Sequence, residues 1–127
     1  MSSSIHPASP ELLELVPAWL AVPDIAERLG VPLSEVRRLL DDRELLAARV
    51  GENKAIAVPA AFLDDEGPLQ ALKGTFTVLR DGGLDDAQIL RWLFTPDASL
   101  PAQGAPIDNL RAGFKTEVRR RAMELAL

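Results

Sequence analysis

Apolar positions in the first half of the chain follow two spacings. Ile25, Ala26 and Leu29 share one side of a short helical stretch, and Val36, Leu39 and Leu40 repeat at i, i+3, i+4 in the next. Gly30 separates the two and can take the left-handed conformation that ends many helices. Val31 covers the corner, and the fixed backbone angle of Pro32 suits the entry of the second helix. The outer face of that helix carries Ser34, Arg37, Arg38 and Asp41. The spacing then changes. Leu45 to Val50 and Lys54 to Val58 are short β-compatible runs separated by Gly51-Glu52-Asn53, which predicts a hairpin. Pro59 stops the second run, and Ala60, Ala61, Phe62 and Leu63 return to the core.

A short polar helix held by a tight turn against a partner helix is the geometry that enters a DNA major groove. With the hairpin beside it, the segment predicts a winged helix-turn-helix with a two-stranded wing. The expected recognition helix is Leu33–Asp42. Arg37 and Arg38 are the candidates for base edges or phosphates, because arginine can bond two acceptors on guanine at once. Ser34 is placed near the helix start, and Arg43 adds a cation at its end. Arg49, Asn53 and Lys54 are expected to hold the DNA backbone from the wing. The competing expectation is a purely structural helical hairpin.

Residues 1–10 are rich in Ser and Pro and are expected to lack order, with Ser2-Ser3-Ser4 either phosphate acceptors or part of an ordinary terminus. Glu11 to Leu20 is a short apolar stretch expected beneath the two helices, with Trp19 in the core. Asp64 to Pro68 is acidic, ends in Gly67-Pro68 and marks a boundary. Three helices are predicted beyond it. The first spans Leu69 to Arg80, with Leu72, Phe76 and Leu79 on one side. The second starts at a cap on Asp85 or Asp86 and ends at Phe94. The third is long and starts at Pro106, with a stripe of Leu110, Phe114, Val118, Ala122 and Leu125 and a cationic row of Arg111, Lys115 and Arg119. The expected fold is mostly α: a winged helix-turn-helix over residues 11–66 and a small three-helix C-terminal domain over 69–127.

A length of 127 residues suits one domain or two very small ones, and 47% hydrophobic with 26% charged residues describes a chain that folds. No apolar run approaches the roughly 18 residues of a membrane span. The first seven residues lack the basic start and apolar core of a secretory signal. With no cysteine, a cytoplasmic location is expected. The net charge of −5 argues against nucleic acid until its distribution is considered. Residues 22–63 hold seven acids and six bases, Asp64-Asp65-Glu66 is wholly acidic, and residues 69–127 hold seven acids and eight bases. The winged segment is therefore nearly neutral, and long-range steering to DNA should be weak.

No catalytic constellation is present. His6 is the sole histidine, so neither a Ser-His-Asp arrangement nor a histidine metal site can be built. Asp64-Asp65-Glu66 reads as a solvated linker rather than a cation site, and Asp81-Gly82-Gly83 lacks the spacing and the lysine of a phosphate loop. Neither an enzyme nor a bound cofactor or metal is expected. Arg119-Arg120-Arg121 are candidates for phosphate contact, but on a helix they point in different directions, which favours a solvated face.

Leu29-Gly30-Val31-Pro32, the wing-closing Pro59, Leu79-Arg80-Asp81-Gly82-Gly83 and Arg91-Trp92-Leu93-Phe94-Thr95-Pro96-Asp97 together resemble one family. It comprises small actinobacterial winged helix-turn-helix DNA-binding proteins that carry a dedicated helical C-terminal domain. The resemblance covers roughly Val22 to the C-terminus and implies double-stranded DNA as the partner, in transcription regulation or as a nucleoid-associated factor. This chain departs from the pattern in placing Glu52 between Arg49 and Lys54. Trp92-Leu93, Pro96, Leu100, Pro106 and Leu110 are also similar in spacing to the toxin-binding domain of some type II antitoxins, which would make the C-terminal half a protein-interaction module. Trp92, Phe94, Leu110, Phe114 and Val118 either join two copies into a homodimer or fill that domain's own core.

Overall fold

Ser9 begins the first ordered helix, its hydroxyl accepting the Leu12 N–H at 3.1 Å over Pro10 and Glu11 in the opening turn. The computed structural model describes residues 5–126, so the Ser2-Ser3-Ser4 expectation lies outside the described residues. The chain divides into two units, Met1–Leu69 and Gln70–Leu127.

In unit 1, α1 (Pro10–Leu15) leads to β1 (Trp19–Ala21), α2 (Val22–Leu29) and α3 (Leu33–Asp41). Next come β2 (Ala48–Val50), β3 (Ala55–Pro59), a 3-10 turn at Ala60–Phe62, and the short pair β4 (Leu63–Asp64) and β5 (Gly67–Pro68). Gly30 sits at φ 68°, ψ 36°, and the Val31 N–H closes the turn on the Ala26 carbonyl at 3.0 Å. That corner holds α2 against α3. Ile25, Val36, Leu45, Val58 and Phe62 are fully buried beneath it, each worth roughly 1.5–3 kcal/mol of burial.

Three expectations for this unit are corrected. The wing is not a free two-stranded hairpin. β1 pairs antiparallel with β3, Leu20 opposite Val58, giving a three-stranded sheet in the order β1-β3-β2. The loop between β2 and β3 runs to Lys54, whose N–H bonds the Gly51 carbonyl at 3.1 Å, so Lys54 belongs to the turn and not to the strand. Nor does order begin after residue 10. The Ala8 N–H donates to the Arg49 carbonyl and the Arg49 N–H to the His6 carbonyl, both at 2.9 Å, covering the outer edge of β2. The acidic stretch is a tight turn within unit 1. Asp64 Oδ1 accepts the Glu66 and Gly67 N–H groups at 2.8 and 3.1 Å.

Unit 2 contains α4 (Leu72–Asp81), α5 (Asp86–Phe94), α6 (Pro106–Arg111) and α7 (Lys115–Met123). Asp85 caps α5 reciprocally with Gln88, at 2.9 Å from the Gln88 N–H and 2.8 Å from the Asp85 N–H to the Gln88 side chain. Four α-helices, not three, are found among the described residues of unit 2. The predicted long helix breaks because Gly113, at φ 94°, turns the chain out of the helical region before Phe114. The loop before α6 is pinned by Asn109, which is fully buried. Its amide oxygen accepts the Ala102 N–H at 2.7 Å, and its Nδ2 donates to the carbonyls of Ala102 and Ala105, both at 3.0 Å. Phe94, Leu100, Pro106, Leu110 and Val118 lie in the core of this unit, while Trp92 and Phe114 are half-buried. The apolar groups considered for joining two copies or holding a toxin are thus mostly consumed by internal packing. Among the described residues no helix is long and apolar enough to cross a membrane.

Candidate nucleic-acid interface

Burial of Val36 and Leu39 turns the opposite side of α3 outward, so that Leu33, Ser34, Arg37, Arg38 and Asp41 are exposed together. Leu33 was missed as a surface group because its position also suits a core-facing start to the helix. It is 41% exposed, beside Ser34 and one turn before Arg37. An exposed leucine there offers an apolar surface of the kind that meets thymine methyl groups.

The two candidate arginines differ sharply. Arg37 is exposed, and no ion pair is found for it among the described residues. Arg38 is clamped. Its Nε and Nη2 meet the Glu35 carboxylate at 2.9 and 2.6 Å, and Nη1 meets Asp42 at 2.7 Å and Glu44 at 3.2 Å. Four of its five donors are therefore occupied. The hydrogen bond from Arg38 holds the Glu35 carboxyl below the usual carboxylate range, and the carboxylates, Glu35 first, push the Arg38 pKa further up. The i+3 and i+4 spacings of Glu35, Arg38 and Asp42 are visible in the sequence and were the available signal.

Arg43 is not on the outward face. It is half-buried at the corner after α3 and adopts φ 60°, while the Glu44 N–H closes onto the Leu39 carbonyl at 2.9 Å. Its backbone does the work a glycine commonly does at a helix end. On the wing, Asn53 and Lys54 are exposed at the tip, and Lys54 also has positive φ, at 51°. Arg49 is half-buried on β2, with Nη1 3.4 Å from the Lys54 carbonyl. The structure thus groups Ser34, Arg37 and Arg38 on one helix face and Arg49, Asn53 and Lys54 on the hairpin, and leaves Arg43 in the corner. Among the described residues no group of three His, Cys, Asp or Glu side chains is placed to hold a metal ion.

Two helices meeting at a tight glycine corner, followed by a hairpin bound into a small sheet, define a winged helix-turn-helix protein. Comparisons narrow the class. Residues 6–63 match the family model described as "DNA-binding protein Rv2175c, wHTH domain", and residues 69–126 match "Rv2175c C-terminal domain of unknown function". The chain is 36% identical over 131 residues to the DNA-binding protein Rv2175c of Mycobacterium tuberculosis (strain ATCC 25618 / H37Rv), covering 94% of this chain and 88% of that protein. It also matches the NMR structure of Rv2175c with a TM-score of 0.81 at 36% identity, over 98% of this chain and 90% of that one. The chain belongs to the Rv2175c family.

Proposed function

We propose that this chain binds double-stranded DNA through unit 1, with α3 in the major groove, as a transcriptional regulator or a nucleoid-associated factor. The observation that carries this reading is the outward face of α3, where Leu33, Ser34 and Arg37 are exposed together beside a tightly held helix corner. The matching relative, named a DNA-binding protein, supports it. Arg37 takes the leading role at base edges, with Ser34 and Leu33 beside it. Arg49, Asn53 and Lys54 hold phosphates from the wing. Arg38 contributes less than its position suggests, because its donors already serve three carboxylates.

The test is selection of bound fragments from random duplex DNA by the purified full chain. Enrichment of a short motif supports a regulator. Retention of all sequences alike, with steep loss in salt, supports a nucleoid-associated factor. Failure to retain any duplex at low salt overturns the reading.

A further inference from the structure

Unit 2 carries a second basic surface that its sequence pattern had assigned to solvent. Lys115, Thr116, Arg119, Arg120, Met123 and Glu124 line an open groove of about 490 Å³ along α7. Its single carboxylate is neutralised from outside the groove, because Glu124 is paired with Arg121 at 3.1 Å. Lys115 and Arg120 are exposed, and no carboxylate partner is found for either among the described residues.

Arg119 is held differently from Arg38. Its Nη2 donates to the Ala71 carbonyl at 3.0 Å, and its guanidinium lies over Gly74, where a Cβ would overlap it. That anchor uses a main-chain acceptor and leaves the charge uncompensated. The groove therefore presents three positive charges in a protein whose net charge is −5. At 1.5 Å of rise per residue, Lys115 and Arg120 are about 7 Å apart along the helix. The cluster is thus compact enough to face phosphates of a single DNA backbone.

We propose that the α7 face is a second, sequence-independent contact to the sugar-phosphate backbone of double-stranded DNA. The inference rests on the DNA-binding reading of unit 1 and supplies what that unit lacks, since its recognition face leaves Arg38 neutralised. Phosphate is the favoured occupant because three cations, Lys115, Arg119 and Arg120, line the groove against a single carboxylate, Glu124, that Arg121 already pairs.

The experiment titrates the full chain and its Lys115→Ala/Arg120→Ala variant with a selected duplex and a random duplex across a salt series. Lys73→Ala serves as a control for charge alone, and thermal melting checks the fold of each. Loss of two phosphate contacts should lower the slope of log K against log salt by about 1.8 and weaken both duplexes alike, by roughly tenfold near physiological salt. If the variant melts early, Lys115→Gln/Arg120→Gln replaces it with the same expectation. Unchanged slope and affinity in a folded variant overturn this proposal while leaving the unit 1 reading intact, and point to an acidic protein as the occupant. An effect equal to that of Lys73→Ala also overturns it. No duplex binding by the parent chain overturns both.

Discussion

The two units use their polar side chains in opposite ways. In unit 1, Arg38 on the outward face of α3 is tied to surface carboxylates, Glu35, Asp42 and Glu44. In unit 2, Arg119 and Asn109 are tied to main-chain groups at Ala71, Ala102 and Ala105. Carboxylates cancel the charge they bind, whereas a backbone carbonyl fixes an arginine and leaves its charge standing. Two helix arginines can thus differ fully in what they offer a phosphate. Helix position alone does not measure that difference.

The comparison is broken most directly at Asn109. Asn109→Ala leaves the Ala102 N–H and the Ala102 and Ala105 carbonyls without this partner. At roughly 1–3 kcal/mol for each buried group left unsatisfied, a loss of about 3 kcal/mol is expected in denaturant unfolding. A loss below about 1 kcal/mol would show that water replaces the amide. Next in size is Arg37→Ala, which should remove about 1–3 kcal/mol of discrimination between selected and mismatched duplex. Arg38→Ala should change discrimination much less, and equal effects of the two would sink the distinction drawn between them. Arg43→Gly relieves the positive φ at the end of α3 and should raise stability by about 1 kcal/mol. A fall in stability would mean that its side chain matters more than its backbone.

The smallest effect concerns pH. The folded-state pKa of Glu35 lies below the ordinary 4.5, so its pairing stabilises the fold above that value and is lost as pH falls through the folded pKa. The difference in melting temperature between the parent and Glu35→Gln should be constant from pH 8 to pH 6 and shrink below pH 4. A difference that changes mainly near neutrality would contradict the assignment to this carboxylate.

Features set by local chemistry were legible in the sequence. Gly30 ending α2, Pro59 ending β3 and Asp85 capping α5 each depend on a few neighbouring residues. What was missed depends on distant partners. β1 is three residues long and is a strand because Leu20 meets Val58 across the fold, which no local pattern announces. The break between α6 and α7 was hidden because the apolar stripe continues in register through Gly113, so periodicity outvoted a single glycine. Of the candidate interface, the outward face of α3 followed from spacing alone. The neutralisation of Arg38 needed Glu44, which lies beyond the helix, and the corner position of Arg43 needed its backbone angle.

The Asn109 latch also has a consequence on the clock of hydrogen exchange. Residues 98–105 contain Pro, Gly and Ser and no regular hydrogen-bonded element, which ordinarily marks a segment whose amides exchange within seconds and whose backbone a protease can enter. The Ala102 N–H is instead held by a buried side chain. It should open only when α6 itself unfolds and exchange as slowly as helical amides, with Gln103 next to it exchanging fast. A loop by shape would then be part of the core by lifetime.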